Sequence, residues 1–162
     1  MLLLVTAVIL AIAAWCDLAT RTIPDRCSIA LLALGIGSRL FLEGPMAALL
    51  STGVALLVFL GFALLHARNL IGGGDVKLIA ALAAGTAPLA VPELLFWIGL
   101  AGGVLGLLYL ALARLLPKPA LRPHASLPAR IAALEANRIV RRGPMPYALA
   151  IAAGTLIAGL GA

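Results

Sequence analysis

Six apolar stretches, most of them near bilayer-crossing length, leave this chain almost no way to fold in water. They cover residues 2–17, 29–42, 46–67, 75–91, 94–116 and 147–161. A spanning helix needs about 20 predominantly apolar residues. The third and fifth stretches are long enough without help. The others are short and rich in Ala and Gly, and a short segment spans where its polar ends snorkel or the bilayer thins. Apolar residues make up 64% of the 162 and charged residues 11%, against roughly half and a quarter in a soluble domain. The pattern predicts an all-α polytopic membrane protein of about six transmembrane helices, with residues 1–162 forming a single integral-membrane domain. The first stretch has no Lys or Arg before Arg21 and no small-residue cleavage motif leading into a soluble protein, so it reads as a retained helix and not a signal peptide.

Basic residues alternate along the chain. Arg21 and Arg26 follow the first stretch, Arg68 follows the third with Lys77 just inside the fourth, and Lys118, Arg122, Arg130, Arg138, Arg141 and Arg142 follow the fifth. The intervening turns hold Arg39 with Glu43, and then Glu93 with no base. Lys and Arg collect on the cytoplasmic side, so the odd-numbered loops are cytoplasmic and both termini face the non-cytoplasmic side. This distribution accounts for the net charge of +6, and no nucleic-acid partner is inferred. Cys16 and Cys27 form no C-x-x-C pair, which excludes a zinc site of the usual spacing. His66 and His124 have no partner at ligand spacing, so neither a metal nor a cofactor is expected.

The long polar connection divides in two. Prolines break residues 117–128. Residues 129–140 suit an amphipathic helix on an anionic membrane surface, or equally an ordinary connecting loop whose charge follows the cytoplasmic-positive pattern. Leu127, Ile131, Leu134 and Ile139 would face lipid or protein, and Arg130, Glu135 and Arg138 water. In the fifth and sixth stretches Gly99, Gly102, Gly103, Gly106, Gly154, Gly159 and Gly161 would let backbones approach closely. The first role for these glycines is packing inside the bundle, and a homodimer through the glycine-rich helices is the second.

Against this background two acids stand out. Asp17 ends the first stretch and Asp75 begins the fourth. The Lys/Arg topology puts both at the cytoplasmic face at similar depth. Acids at membrane segments are costly and tend to be functional. Two carboxylates in contact do not both ionise readily, so they share a proton and divide the roles of acid and base. One takes a proton from water and the other serves the scissile carbonyl of a peptide. The run Gly72-Gly73-Gly74 before Asp75 allows a tight turn or a positive φ, and it lets a helix or substrate come close. Asp75 also suits the start of a helix, where free N–H groups favour a carboxylate. Asp25 and Ser28 are read as caps of the second helix. Lys77 lies two residues past Asp75, so their side chains diverge, and it anchors at the interface.

The segment Asp17-Leu18-Ala19-Thr20-Arg21-Thr22-Ile23-Pro24 resembles the first active-site motif of type IV prepilin peptidases. Gly72-Gly73-Gly74-Asp75-Val76-Lys77 resembles their G-x-G-D motif, and Gly143-Pro144-Met145-Pro146-Tyr147-Ala148 their Pro-Tyr/Phe-Gly segment, with Ala148 where glycine is common. The resemblance implies catalysis by Asp17 and Asp75, with motif support from Gly72, Gly73, Gly74 and Lys77. It implies cleavage of a prepilin or pseudopilin leader at the cytoplasmic face of a bacterial inner membrane, beside the substrate's apolar helix and membrane lipid. The absence of C-x-x-C pairs matches the short branch, which lacks the methyltransferase region and serves Flp-type pilins. Two other functions stay open at this point. One is a G-x-G-D protease for other membrane substrates, and the other is a non-enzymatic ion-binding or transport protein.

Overall fold

The computed structural model describes residues 2–115, 127–140 and 145–161. These residues form α1 (Leu2–Thr20), α2 (Asp25–Glu43), α3 (Pro45–Ala67), α4 (Gly73–Gly85), α5 (Val91–Leu115), α6 (Leu127–Val140) and α7 (Tyr147–Gly161), with a single 3₁₀ turn at Pro88–Ala90. No strand occurs among the described residues, so the protein is all-α. Three segments, Leu2–Thr20, Pro45–Ala67 and Pro88–Leu115, are long and apolar enough to cross a membrane. Their outer faces are greasy: Leu4 is 70% exposed, Leu57 69% and Leu107 70%. Water-soluble monomers rarely carry so much contiguous apolar surface, and here it is the lipid-facing wall of a membrane protein.

Helix α4 sits at the centre, packed against α2, α3 and α7. Its residues from Leu78 to Ala84 are all buried. The sequence pattern predicts a fourth helix over 75–91, but the helix ends at Gly85. Thr86 turns to an extended conformation, and Ala87 is extended too, at φ −58° and ψ 138°. The cause is Pro88, which disfavours helical backbone in the residue before it and cannot donate to a continuing helix. At 1.5 Å per residue the 13 residues of α4 reach about 20 Å, short of a bilayer core of about 30 Å. Such a short helix fits the interior of the bundle because its neighbours, not lipid, surround its ends.

Small residues set the close contacts. A Cβ on Gly35 of α2 would fall 2.7 Å from the Gly85 backbone of α4, and one on Gly154 of α7 2.5 Å from the Ile98 backbone of α5. Gly102 is covered by the Tyr147 ring and Gly159 by Leu3. Gly99 and Gly103 meet nothing within 4 Å. Inside lipid, where apolar burial drives little association, such backbone contact is what holds helices together.

The amphipathic helix forms as α6, but its orientation differs from the sequence expectation. Glu135 is buried and Arg138 reaches inward where water was expected, while Ile139 is buried and Leu134 exposed in keeping with a lipid- or protein-facing position. A specific set of polar partners, described below, outweighs the average polarity of that face. The proline-broken part of the connection with Lys118, Arg122 and His124, the side chains of Leu127, Arg130 and Ile131, and Gly143-Pro144 lie outside the described residues.

Candidate active site

One end of the bundle gathers the end of α1, the starts of α2, α4 and α7, and the end of α3. Helix α1 stops because Arg21 takes a left-handed conformation at φ 58° and returns its N–H to the Asp17 carbonyl at 2.9 Å. The chain then runs extended to Pro24 at the head of α2. On the way Ile23 lies over Gly74, where an added Cβ would be 3.0 Å from its side chain. The end of α3 is tied similarly: His66 Nδ1 pairs with the Ile71 carbonyl at 2.8 Å, and its ring covers Gly73.

Asp75 is the third residue of α4, whose first helical residue is Gly73. Its carboxylate folds back over Gly72, where a Cβ would stand 2.8 Å from Oδ2. The glycines therefore serve close approach. Gly72 has φ −68°, and among the described glycines only Gly44 has positive φ. The turn-forming role expected for the run is not the one it has. Each of the three lacks a side chain where another group must lie: Asp75 itself, the His66 ring and Ile23.

Asp17 reaches Asp75 from the other side. It is buried near the end of α1, and its Oδ2 accepts the Ala148 N–H at 3.1 Å. Ala148 is the second residue of α7, so a free N–H of a helix start meets a carboxylate. Ala148 is fully buried, and glycine is not needed there for the backbone to donate. Asp17 and Asp75 are close enough to interact through their charges, and Tyr147 lies within the same reach of Asp75. The structure thus brings together the two acids chosen from sequence, together with Gly72, Gly73 and Gly74.

Lys77 and Asp25 sit apart from this pair. Lys77 Nζ donates to Asp25 Oδ1 at 2.7 Å across α2 and α4, with both side chains at least half exposed. Asp25 lies in the first turn of α2 but makes no capping hydrogen bond, and the Ser28 hydroxyl, buried, makes none either. The capping roles expected for both are replaced, for Asp25, by this ion pair.

A second polar cluster beside Asp17 was not anticipated. The carboxylate of Glu135 on α6 accepts from Arg21, from the Tyr109 hydroxyl of α5 at 2.6 Å and from Arg138 at 3.1 Å. Arg138 also donates to the Leu18 carbonyl at 3.0 Å. Arg21, Glu135 and Arg138 all lie within electrostatic range of Asp17. The available signal was that Glu135 is the one acid after Glu93, set among several arginines.

An all-α membrane bundle with two shielded carboxylates within charge range of each other at one end is the class that fold and site define. The chain belongs to the type IV leader peptidase family, whose model matches residues 4–107, and it is accordingly a peptidase. The match takes in both acids and the glycine run, while α6 and α7 lie beyond it. No curated protein and no solved structure matches the chain.

Proposed function

We propose that this protein is a multi-pass aspartic endopeptidase of the bacterial inner membrane that removes the N-terminal leader of type IV prepilin-like, Flp-type substrates at the cytoplasmic face, without N-methylation. The observation that carries the reading is the meeting of Asp17 and Asp75. They stand at the end of α1 and the start of α4, Asp17 buried and Asp75 partly buried with its Oδ1 shielded, within charge–charge range, and at the end of the bundle where Lys and Arg concentrate. Such a pair can hold one proton between two carboxyl groups. The ionised member draws a proton from water, and the resulting hydroxide adds to the scissile carbonyl carbon. The protonated member serves the carbonyl oxygen. Collapse then breaks the C–N bond, and the departing amine takes a proton.

Co-expression with prepilins encoded near the gene, read by pilin mass, tests the proposal. Wild type should remove the leader, while Asp17→Asn and Asp75→Asn should each insert normally and leave it uncut. Cleavage retained by either variant would take that residue out of the mechanism. No change in mass with any prepilin, from well-inserted wild type, would reject the prepilin assignment.

A further inference from the structure

Among the described residues four buried side-chain polar atoms lack a hydrogen-bond partner, and three of them are Arg21 Nε, Arg21 Nη1 and Asp75 Oδ1. Buried polar groups are nearly always paired, so this concentration beside one site calls for an occupant. Arg21 also has a left-handed backbone, φ 58°, shared among the described non-glycine residues only with Asn69, and such conformations cluster at functional sites. One nitrogen, Nη2, is held by Glu135, which is itself buried and fastened by Tyr109 and Arg138. Glu135 thus fixes the guanidinium through Nη2, while Nε and Nη1 stay shielded and without an acceptor.

Resting on the peptidase reading above, we propose that Arg21 is a further catalytic residue whose free N–H donors receive the carbonyl oxygen of the scissile peptide, with Glu135 as its positioning residue. Arg21 makes and breaks no covalent bond. As hydroxide adds to the carbonyl carbon, electron density moves onto the carbonyl oxygen, and preorganised donors aimed there stabilise it more than they stabilise the substrate. A neutral carbonyl suits the site better than an acidic side chain. Arg21 and Arg138 already face Glu135 and, in its ionised form, Asp17. A third buried carboxylate would leave a negative charge uncompensated.

The test uses purified full-length protein in proteoliposomes. The probe is a synthetic peptide of basic leader and first apolar helical turns, taken from the prepilin encoded nearest the gene. Arg21→Ala keeps a Cβ at the left-handed position, so it isolates the guanidinium. It should lower kcat by about 100-fold while KM moves less than about threefold. Added guanidinium ion should restore part of the rate in Arg21→Ala and none in Asp17→Asn. Arg21→Lys should stay slow, since an ammonium lacks the planar fork. Glu135→Gln should lower kcat by about tenfold through the loosened guanidinium. Wild-type kcat in Arg21→Ala overturns the proposal. So does a rise in KM alone that is cancelled by neutralising an acidic residue of the peptide, because the acceptor would then be a side chain. Loss of rate without guanidinium rescue makes Arg21 structural and overturns it too. If well-inserted wild type cuts no such peptide, the peptidase reading fails and this assignment fails with it.

Discussion

Asp17 and Asp75 lie in the same site but are held in opposite ways. Asp75 is placed by its immediate neighbours: three residues before it, Gly72 leaves the space its carboxylate occupies. Asp17 is placed by partners far along the chain, the Ala148 N–H 131 residues away and the cluster around Glu135. One carboxylate is set by local spacing and the other by tertiary assembly. Changes near Asp75 should therefore act on chemistry with the fold intact. Changes that unseat α7, which carries the Ala148 N–H to Asp17, should act through the stability of the bundle.

The strongest way to break this contrast is Gly72→Ala. The new methyl would overlap Asp75 Oδ2 at 2.8 Å, and the side chain can rotate away without moving backbone. Helix content and thermal midpoint should stay near wild type while leader cleavage falls about 100-fold, the usual scale for an ångström of misplacement. Full activity in Gly72→Ala would show that Asp75 works from another rotamer and is not set by its glycine.

The complementary test is on α7, which presents Ala148 to Asp17. Gly154 seats this helix on α5, and any Cβ there meets the Ile98 backbone at 2.5 Å. Backbone cannot swing aside as a carboxylate can, so Gly154→Ala should cost about 1–3 kcal/mol of bundle stability. Gly99→Ala, with nothing within 4 Å, should stay within about 0.5 kcal/mol. Denaturation in mixed micelles would read both. Equal losses would mean that α5 and α7 separate more easily than their contact implies, or that the open face of α5 is covered by another copy of the chain.

The same contrast explains what could be read from the sequence. The six apolar stretches became helices because hydrophobicity and length are local properties. The two acids could be paired because alternating Lys and Arg place loops on faces with no knowledge of contacts. The interruption of α4 was also local, carried by Pro88, but apolar residues on both sides of the proline masked it. Glu135 could not be placed in the same way. An acid on the polar stripe of an amphipathic helix reads as water-facing, and only its meeting with Arg21, Tyr109 and Arg138, each on another element or turn, turns it inward. The glycine run was legible as important, but which groups would lie against it depended on the folds of Ile23 and His66.

Asp25 sharpens the comparison from outside, because it is a third acid at the same end of the chain's bundle without the setting of either of the other two. It is mostly exposed, and its partner Lys77 is half exposed. An ion pair open to solvent contributes under about 1 kcal/mol, since water screens the attraction and two long side chains lose freedom in forming it. Asp25→Asn should therefore leave cleavage within about twofold of wild type and shift the thermal midpoint by little, the more so in high salt, where the pair is already screened. Cleavage assays and melting curves at low and high ionic strength would check both. A large loss of cleavage in Asp25→Asn with the fold unchanged would move Asp25 into the site. The feature that separates working acids from ordinary ones would then no longer be shielding of the carboxylate from water, which Asp17 and Asp75 share and the mostly exposed Asp25 lacks.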